Sequence, residues 1–494
     1  MTPSTSSSSG TTYMVGLDAG DLNFIRENIA RLPNLARLFG ETEPQPLQTT
    51  AGELPGSVWP TFYTGSLPGD HGIYHHLQWD PDANRMRRVS EEWLYCEPFW
   101  YEIARSGKRV CAVDVPMTFP SRLESGLEVI NWGSHDQLGP FHANDKSTQR
   151  ALQREFGLHP MGPEIPVEKT AEQLAKIQAA LISGAAIKGE LTRRLMAQEG
   201  WDLFVVVFGE SHRGGHILWR DPDSHDPLLA SDALLEVYVA VDTALGAIVD
   251  QMDLSCDSLV LFSLHGMQAN QSQEHFVPKL MDRLNAGFRG EAIDTPEPQP
   301  KQSSLMRTLR ELVPARLQHA IAHRVPVWVR DWVVSRAVDA GHKWESTPGI
   351  ALLADLNGYL RFNVRGREVK GFLDDGGAQH EEYRSWLVSN LKSFQTKEGQ
   401  SLVADVLEAT QHYAGERTKY LPDLIVTWTG AAPTSQIHSS NLGTIRGDLA
   451  TGRGGNHRAE GFVCSLGAGT TRIPQPTHIK DLAQFAGQLV YSRD

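Results

Sequence analysis

Apolar residues along this chain fall into short continuous runs separated by longer stretches with helical periodicity. Tyr13 to Leu17, Val110 to Val115, Leu127 to Trp132, Val205 to Phe208 and Leu259 to Leu264 are such runs, the Val205–Phe208 run being rich in β-branched residues. Runs of that length and composition predict strands buried on both faces. Leu424 to Trp428 and Gly461 to Cys464 repeat the pattern late in the chain. Between the runs, residues 167–198 and 231–252 carry apolar positions at a 3.6-residue period and predict helices. Alternation of this kind predicts an α/β protein: a mainly parallel central sheet with helices on both faces. No internal repeat is visible. A Pro/Gln-rich segment (294–302) and a basic helical segment (304–338) interrupt the pattern, so residues 268–346 read as an insertion or cap. The core then comprises 13–267 and 347–494, preceded by a Ser/Thr-rich disordered tail at 1–12.

Chemistry gathers at the ends of the runs, where ligands bind in open α/β sheets. Asp18 follows the first run directly and reads as a helix cap or a ligand. Gly209 stops the Val205–Phe208 run, and Glu210, His212 and His216 follow within seven residues. His265 ends the run at Leu259–Leu264, and His457 lies in a glycine-rich loop before the last one. Ser57 follows a Pro-Gly turn and opens a Trp/Phe/Tyr helical pattern. That position suits a cap, or a nucleophile beside helix N–H groups that favour an anion. His135 and Asp136 follow another strand, where an ordinary polar loop competes with a role as ligands or supporting groups. Arg361, Arg365 and Arg367 could clamp a phosphate, with surface or structural roles as the alternative.

Composition narrows the partners more than the fold. The chain has 494 residues, 40% hydrophobic and 21% charged, as in ordinary globular proteins. A formal charge of −13 argues against general affinity for nucleic acid or anionic membrane, while a small phosphorylated substrate stays compatible. The four cysteines are scattered without a CxxC pair, so nothing points to a thiolate zinc site or a disulfide framework, and buried free thiols are expected. No run reaches transmembrane length, and the N-terminus lacks the charged and apolar regions of a signal peptide, so a cytoplasmic protein is expected. Homo-oligomerisation is left open.

Asp18, Ser57, Glu210, His212, His216, His265 and His457 together offer mixed imidazole and carboxylate ligands beside a hydroxyl. That is equipment for zinc-type metal sites and phosphoryl or sulfuryl transfer. With the WPTFYTGSLPGDHGI block from Trp59, the HRGGHILW block, the SLHGM block and the GNHR loop, the chain resembles the type I phosphodiesterase/nucleotide pyrophosphatase branch of the alkaline phosphatase superfamily. The resemblance implies an alkaline phosphatase-like core with a cap and metal-dependent hydrolysis of a phosphodiester or phosphomonoester through a Ser/Thr nucleophile. It also implies two bound metals, zinc or alternatively manganese. Asp18, the nucleophile and His265 would hold one metal; His212, His216 and His457 would hold the other. His71 is then structural.

Three departures from the family pattern bear on the site. His212 stands where the family has Asp, which makes a three-histidine site. Leu264 stands where the family has the Asp of Ser-Asp-His-Gly-Met. Glu210 is the first replacement ligand and Asp136 the second, and without either the second site is weakened or absent. The family's nucleophile position is Pro55 here, so a two-residue shift puts Ser57 in the role, with Thr61 and Thr50 as alternatives. Loss of the carboxylate at Leu264 also motivates a second reading, a protein that binds metal and phosphorylated ligand without hydrolysis; a third, a phosphonate or sulfate ester hydrolase, stays open because it would use the same charge-stabilising groups.

Overall fold

The computed structural model describes residues 10–162, 170–198, 200–220, 228–291, 342–447 and 453–493, with a few positions between 329 and 336. Eight strands make the main sheet: β1 (Thr12–Leu17), β2 (Gln45–Leu47), β3 (Val110–Val113), β4 (Gly126–Ile130), β5 (His142–Ala143), β6 (Leu203–Phe208), β7 (Ser258–Ser263) and β8 (Gly461–Gly467). Their order is β2-β8-β7-β1-β6-β3-β4-β5. The central strands β7, β1, β6, β3 and β4 run parallel. The edges are antiparallel, with β2 and β8 on one side and β5 on the other.

Alternation along each strand divides the apolar residues between two cores. Val15, Leu17, Val206 and Phe208 face α2 (Ala171–Met196) and α4 (Ala233–Val249), between which α3 (Glu210–Leu218) also packs. Met14, Val205, Val207 and Phe262 face α1 (Val58–Thr64) and α5 (Asp481–Tyr491). With both faces covered, a polar side chain inside these strands would be buried without a partner, which is why they are continuously apolar. On the second face Phe62 stacks on Phe262 with centroids 5.0 Å apart. Such a pair is worth about 0.5–1.5 kcal/mol beyond its buried area, and it fixes α1 against β7.

The chain rejoins the main sheet later than residue 347. Strands between Gly349 and Trp428 form a separate four-stranded antiparallel sheet. Their apolar side chains pack on helices Val277–Phe288 and Ala378–Leu391, giving this unit its own core. The unit is docked on the main body by contacts such as Trp79 Nε1 donating to Glu368 Oε2 over 2.8 Å. Return to the sheet comes with β8, preceded by a ribbon in which Gly455–Arg458 pairs antiparallel with Gly266–Ala269. The basic segment 304–338 lies almost wholly outside the described residues, as do residues 1–9 of the expected tail; Thr12 already belongs to β1. No helix among the described residues is long and apolar enough to cross a membrane.

Candidate metal centre

Asp18, His135, His212, His216, His265 and His457 converge, fully or almost fully buried, at the carboxyl ends of β1, β4, β6 and β7. Asp18 leaves β1 with its N–H bonded to Phe208 O (2.9 Å), and Ala19 turns the chain with φ +52°. Asp18 Oδ1 accepts from Trp59 Nε1 at 3.1 Å and lies 3.5 Å from His265 Nε2. Asp18 Oδ2 lies 2.6 Å from His135 Nδ1 and 3.7 Å from His212 Nδ1. Burial opposes ionisation of Asp18, but His135 and His265 beside it hold its carboxyl well below the usual range.

His212 and His216 share one face of α3 because residues four apart on a helix lie one above the other. Ser211 Oγ donates to Asp18 O over 2.7 Å and pins the start of that helix to β1. The third imidazole arrives from the ribbon, where His457 pairs with Met267, two residues beyond His265. Close approach of ribbon and helix depends on glycine. A Cβ at Gly455 would stand 2.3 Å from the carbonyl oxygen of Gly215.

The three Nε2 atoms of His212, His216 and His457 form a triangle with edges of 3.0, 3.1 and 3.1 Å. Three ring nitrogens cannot satisfy one another as hydrogen bonds, since each carries either one proton or one lone pair. His216 Nδ1 donates to Gly455 O at 3.0 Å, which leaves its Nε2 as a lone pair. Burial, reinforced by neighbouring cationic and imidazole groups, pushes His216 down to about 3 and His212 and His457 well below the usual value. Imidazole lone pairs that meet at one place could hold a divalent metal; in a tetrahedral zinc site, for comparison, nitrogens about 2.0–2.1 Å from the metal stand roughly 3.3 Å apart. The donor set fits a divalent metal of the zinc type. Among the described residues two further groups are comparably compact, His212/His265/His457 and Asp18/His135/His212, each with ligand atoms within 4.8 Å of one another.

Glu210 does not join them. Its Oε1 lies 3.1 Å from His159 Nε2 and 3.5 Å from Lys188 Nζ, and Lys188 in turn lies 2.7 Å from Asp114 Oδ2. Two residues along a helix is a rotation of about 200°, so Glu210 and His212 point to opposite sides of α3. Burial opposes its ionisation, yet Lys188 and His159 hold Glu210 down at about 2. Asp136, the other proposed replacement, pairs with His76 Nδ1 at 3.0 Å and reaches His135 Nε2 only at 3.9 Å. Leu264 lies in the apolar core with Val58, Trp59 and Phe262.

Ser57 is the N-cap residue of α1, the helix that reaches Asp18 through Trp59. Its hydroxyl donates to Leu54 O (2.6 Å) and contacts Thr50 Oγ1 at 2.7 Å, so Thr50 is the donor of that second bond. Thr61 is engaged elsewhere, 3.1 Å from His71 Nε2, while His71 Nδ1 accepts from Ile73 N. His71 thus ties α1 to the following turn. The three arginines are committed to carboxylates of the second unit: Arg361 to Glu368, Arg365 to Asp374, and Arg367 to Asp423. Sequence reasoning missed Lys188, Asp114 and His159. For Asp114 a signal existed, an aspartate just past an apolar strand, as at Asp18.

The chain matches the family model for type I phosphodiesterase/nucleotide pyrophosphatase over residues 12–377, and it belongs to that family, within the alkaline phosphatase superfamily. Membership places it among hydrolases acting on phosphate esters. Similar solved structures include phosphonoacetate hydrolase from Sinorhizobium meliloti 1021 in complex with phosphonoformate. That protein shares 13% identity, with 98% of this chain and 96% of that chain covered and a TM-score of 0.51. Murine ectonucleotide pyrophosphatase/phosphodiesterase 5 shares 12% identity over 97% of this chain and 95% of that chain, with a TM-score of 0.47. No curated protein matches the chain.

Proposed function

We propose that the protein is a metal-dependent hydrolase of small phosphorylated substrates, phosphodiesters or phosphomonoesters, with Ser57 as nucleophile. The observation that carries this reading is the meeting of three buried imidazole nitrogens at 3.0–3.1 Å beside the buried carboxylate of Asp18. His212, His216 and His457 would hold one divalent ion; Asp18 and His265 would contribute to a second. Zinc suits the nitrogen-rich donors, and manganese is the alternative. When bound, such ions lower the pKa of a nucleophile and offset the charge of the phosphoryl oxygens.

Ser57 Oγ forms a bond to phosphorus as the ester oxygen leaves from the opposite side. The hydroxyl proton passes to solvent as that bond forms, and the leaving alkoxide takes up a proton from solvent. Water then cleaves the phosphoserine, restoring the hydroxyl and releasing phosphate or its monoester. Thr50, donating to Ser57 Oγ, fixes the oxygen's rotamer. In this scheme His212, His216 and His457 stay neutral throughout, which their burial favours.

The test is hydrolysis of nitrophenyl mono- and diesters by zinc- or manganese-loaded protein, compared with Ser57→Ala. Turnover abolished with metal content unchanged is the expected result, and full activity in the variant overturns the nucleophile assignment. Burial of Leu264 in the apolar core supports a second reading, a metal- and phosphate-binding protein without hydrolysis. Loaded wild-type protein that turns over neither ester, nor a phosphonate or sulfate ester, would favour that one.

A further inference from the structure

A carboxylate is missing at Leu264, and neither Glu210 nor Asp136 replaces it at Asp18. The residue that stands there is His135. Its Nδ1 lies 2.6 Å from Asp18 Oδ2, and the Asp18 carboxylate is fully buried. Asp18, His135 and His212 each bring one buried ligand atom within 4.8 Å of the others, a spacing that one metal ion can bridge. The His135 ring also packs against His212, with centroids 3.8 Å apart, so it lies beside the three-imidazole group.

The loop carrying His135 is held from beneath. Asp114 Oδ1 accepts the N–H of Trp132 and Oδ2 that of Gly133, each at 2.8 Å. Asp114 is anchored by the buried ammonium of Lys188 at 2.7 Å. Asn131 (φ +58°) and Asp136 (φ +48°) bracket the loop in the left-handed region, a conformation that costs non-glycine residues energy and persists where surroundings enforce it. Behind His135, Asp136 Oδ2 lies 3.9 Å from Nε2, the side on which metal-bound histidines carry a carboxylate partner.

Resting on the metal-dependent reading above, we propose that His135 is a metal ligand, completing with Asp18 and His265 the second site that Leu264 leaves short of a carboxylate. Replacing a carboxylate by an imidazole removes one negative charge and favours zinc or cobalt over magnesium and calcium. Both metal positions then take nitrogen-rich donors, and the loop after β4, supported by Lys188, becomes part of the site.

The test uses full-length protein stripped of metal and titrated with cobalt(II) and zinc, followed by visible absorption and elemental analysis. Wild type is expected to take two equivalents. His135→Ala and His135→Gln are expected to keep one equivalent at wild-type affinity, which also reports intact folding, and to bind the second roughly 100-fold more weakly. Two equivalents at wild-type affinity in both variants, or only one in wild type, overturns the proposal. Loss of both equivalents also overturns it, since His135 would then be needed for the fold. Wild type that binds two equivalents, loses one on substitution and hydrolyses no ester refutes the hydrolase reading while the ligand assignment stands.

Discussion

Lys188 and Asp114 meet at 2.7 Å with both side chains fully buried, joining the middle of α2 to the end of β3. The ammonium also donates to Val207 O (3.0 Å) and lies 3.5 Å from Glu210. Burial alone would lower the pKa of Lys188, but Asp114 and Glu210 raise it, so the group stays charged. Through it, α2, α3 and the His135 loop are tied to one cation.

Removing that cation takes the shared counter-charge from two buried carboxylates, leaving Asp114 with backbone N–H donors and Glu210 with His159. Lys188→Met is therefore expected to destabilise the protein by about 3–5 kcal/mol, the usual cost of breaking a buried pair from one side. Urea unfolding monitored by far-UV dichroism measures it. A change below about 1 kcal/mol would mean that the network is not carried by Lys188.

Gly455→Ala tests the approach of ribbon to helix. The added Cβ would stand 2.3 Å from Gly215 O and 2.8 Å from Trp219 Cβ, so the backbone must shift. Overpacking of this kind costs about 1–3 kcal/mol, and here the shift would pull His457 from the Nε2 triangle. Zinc affinity is expected to fall in a competition titration; unchanged affinity would show that the ribbon relaxes without moving His457.

Thr50→Val removes the hydroxyl that donates to Ser57 Oγ while keeping a similar shape. With Ser57 as nucleophile, kcat is expected to drop roughly ten-fold, equivalent to about 1.4 kcal/mol, at unchanged metal content. An unaltered kcat would remove Thr50 from the role of orienting the nucleophile.

Acid sensitivity is expected from the second unit. Burial opposes ionisation of Asp423, but Arg367 and Arg361 offset this and lower its pKa in the folded state. Its stabilising contribution is complete above the unfolded value of about 3.9 and is lost as pH falls through the lower folded value. Asp423→Asn should therefore lose stability at neutral pH and show a shallower decline between about pH 5 and pH 3 than wild type. Parallel declines in thermal unfolding would assign the sensitivity to other carboxylates.

Parallel strands with helices on both faces could be read from the amino-acid order because burial on two sides forces unbroken apolar runs. His212 and His216 could be placed together because their spacing alone puts them on one helix face. Family motifs pointed to Asp18, His265 and His457. What the one-dimensional pattern lacked was direction and long-range register. Nothing local distinguishes Glu210, adjacent to the histidines, from a ligand; only the packing of α3 against Lys188 and His159 turns it away. His135 looked like part of a polar loop until the parallel pairing of β4, β3, β6 and β1 carried that loop to Asp18. The meeting of His457 with His212 depends on antiparallel pairing across about 190 residues and on two glycine backbones in contact. Local sequence determined the elements and the chemistry at their ends. Which of those ends share a site was decided by strand order and close packing, whose partners lie far apart in the chain.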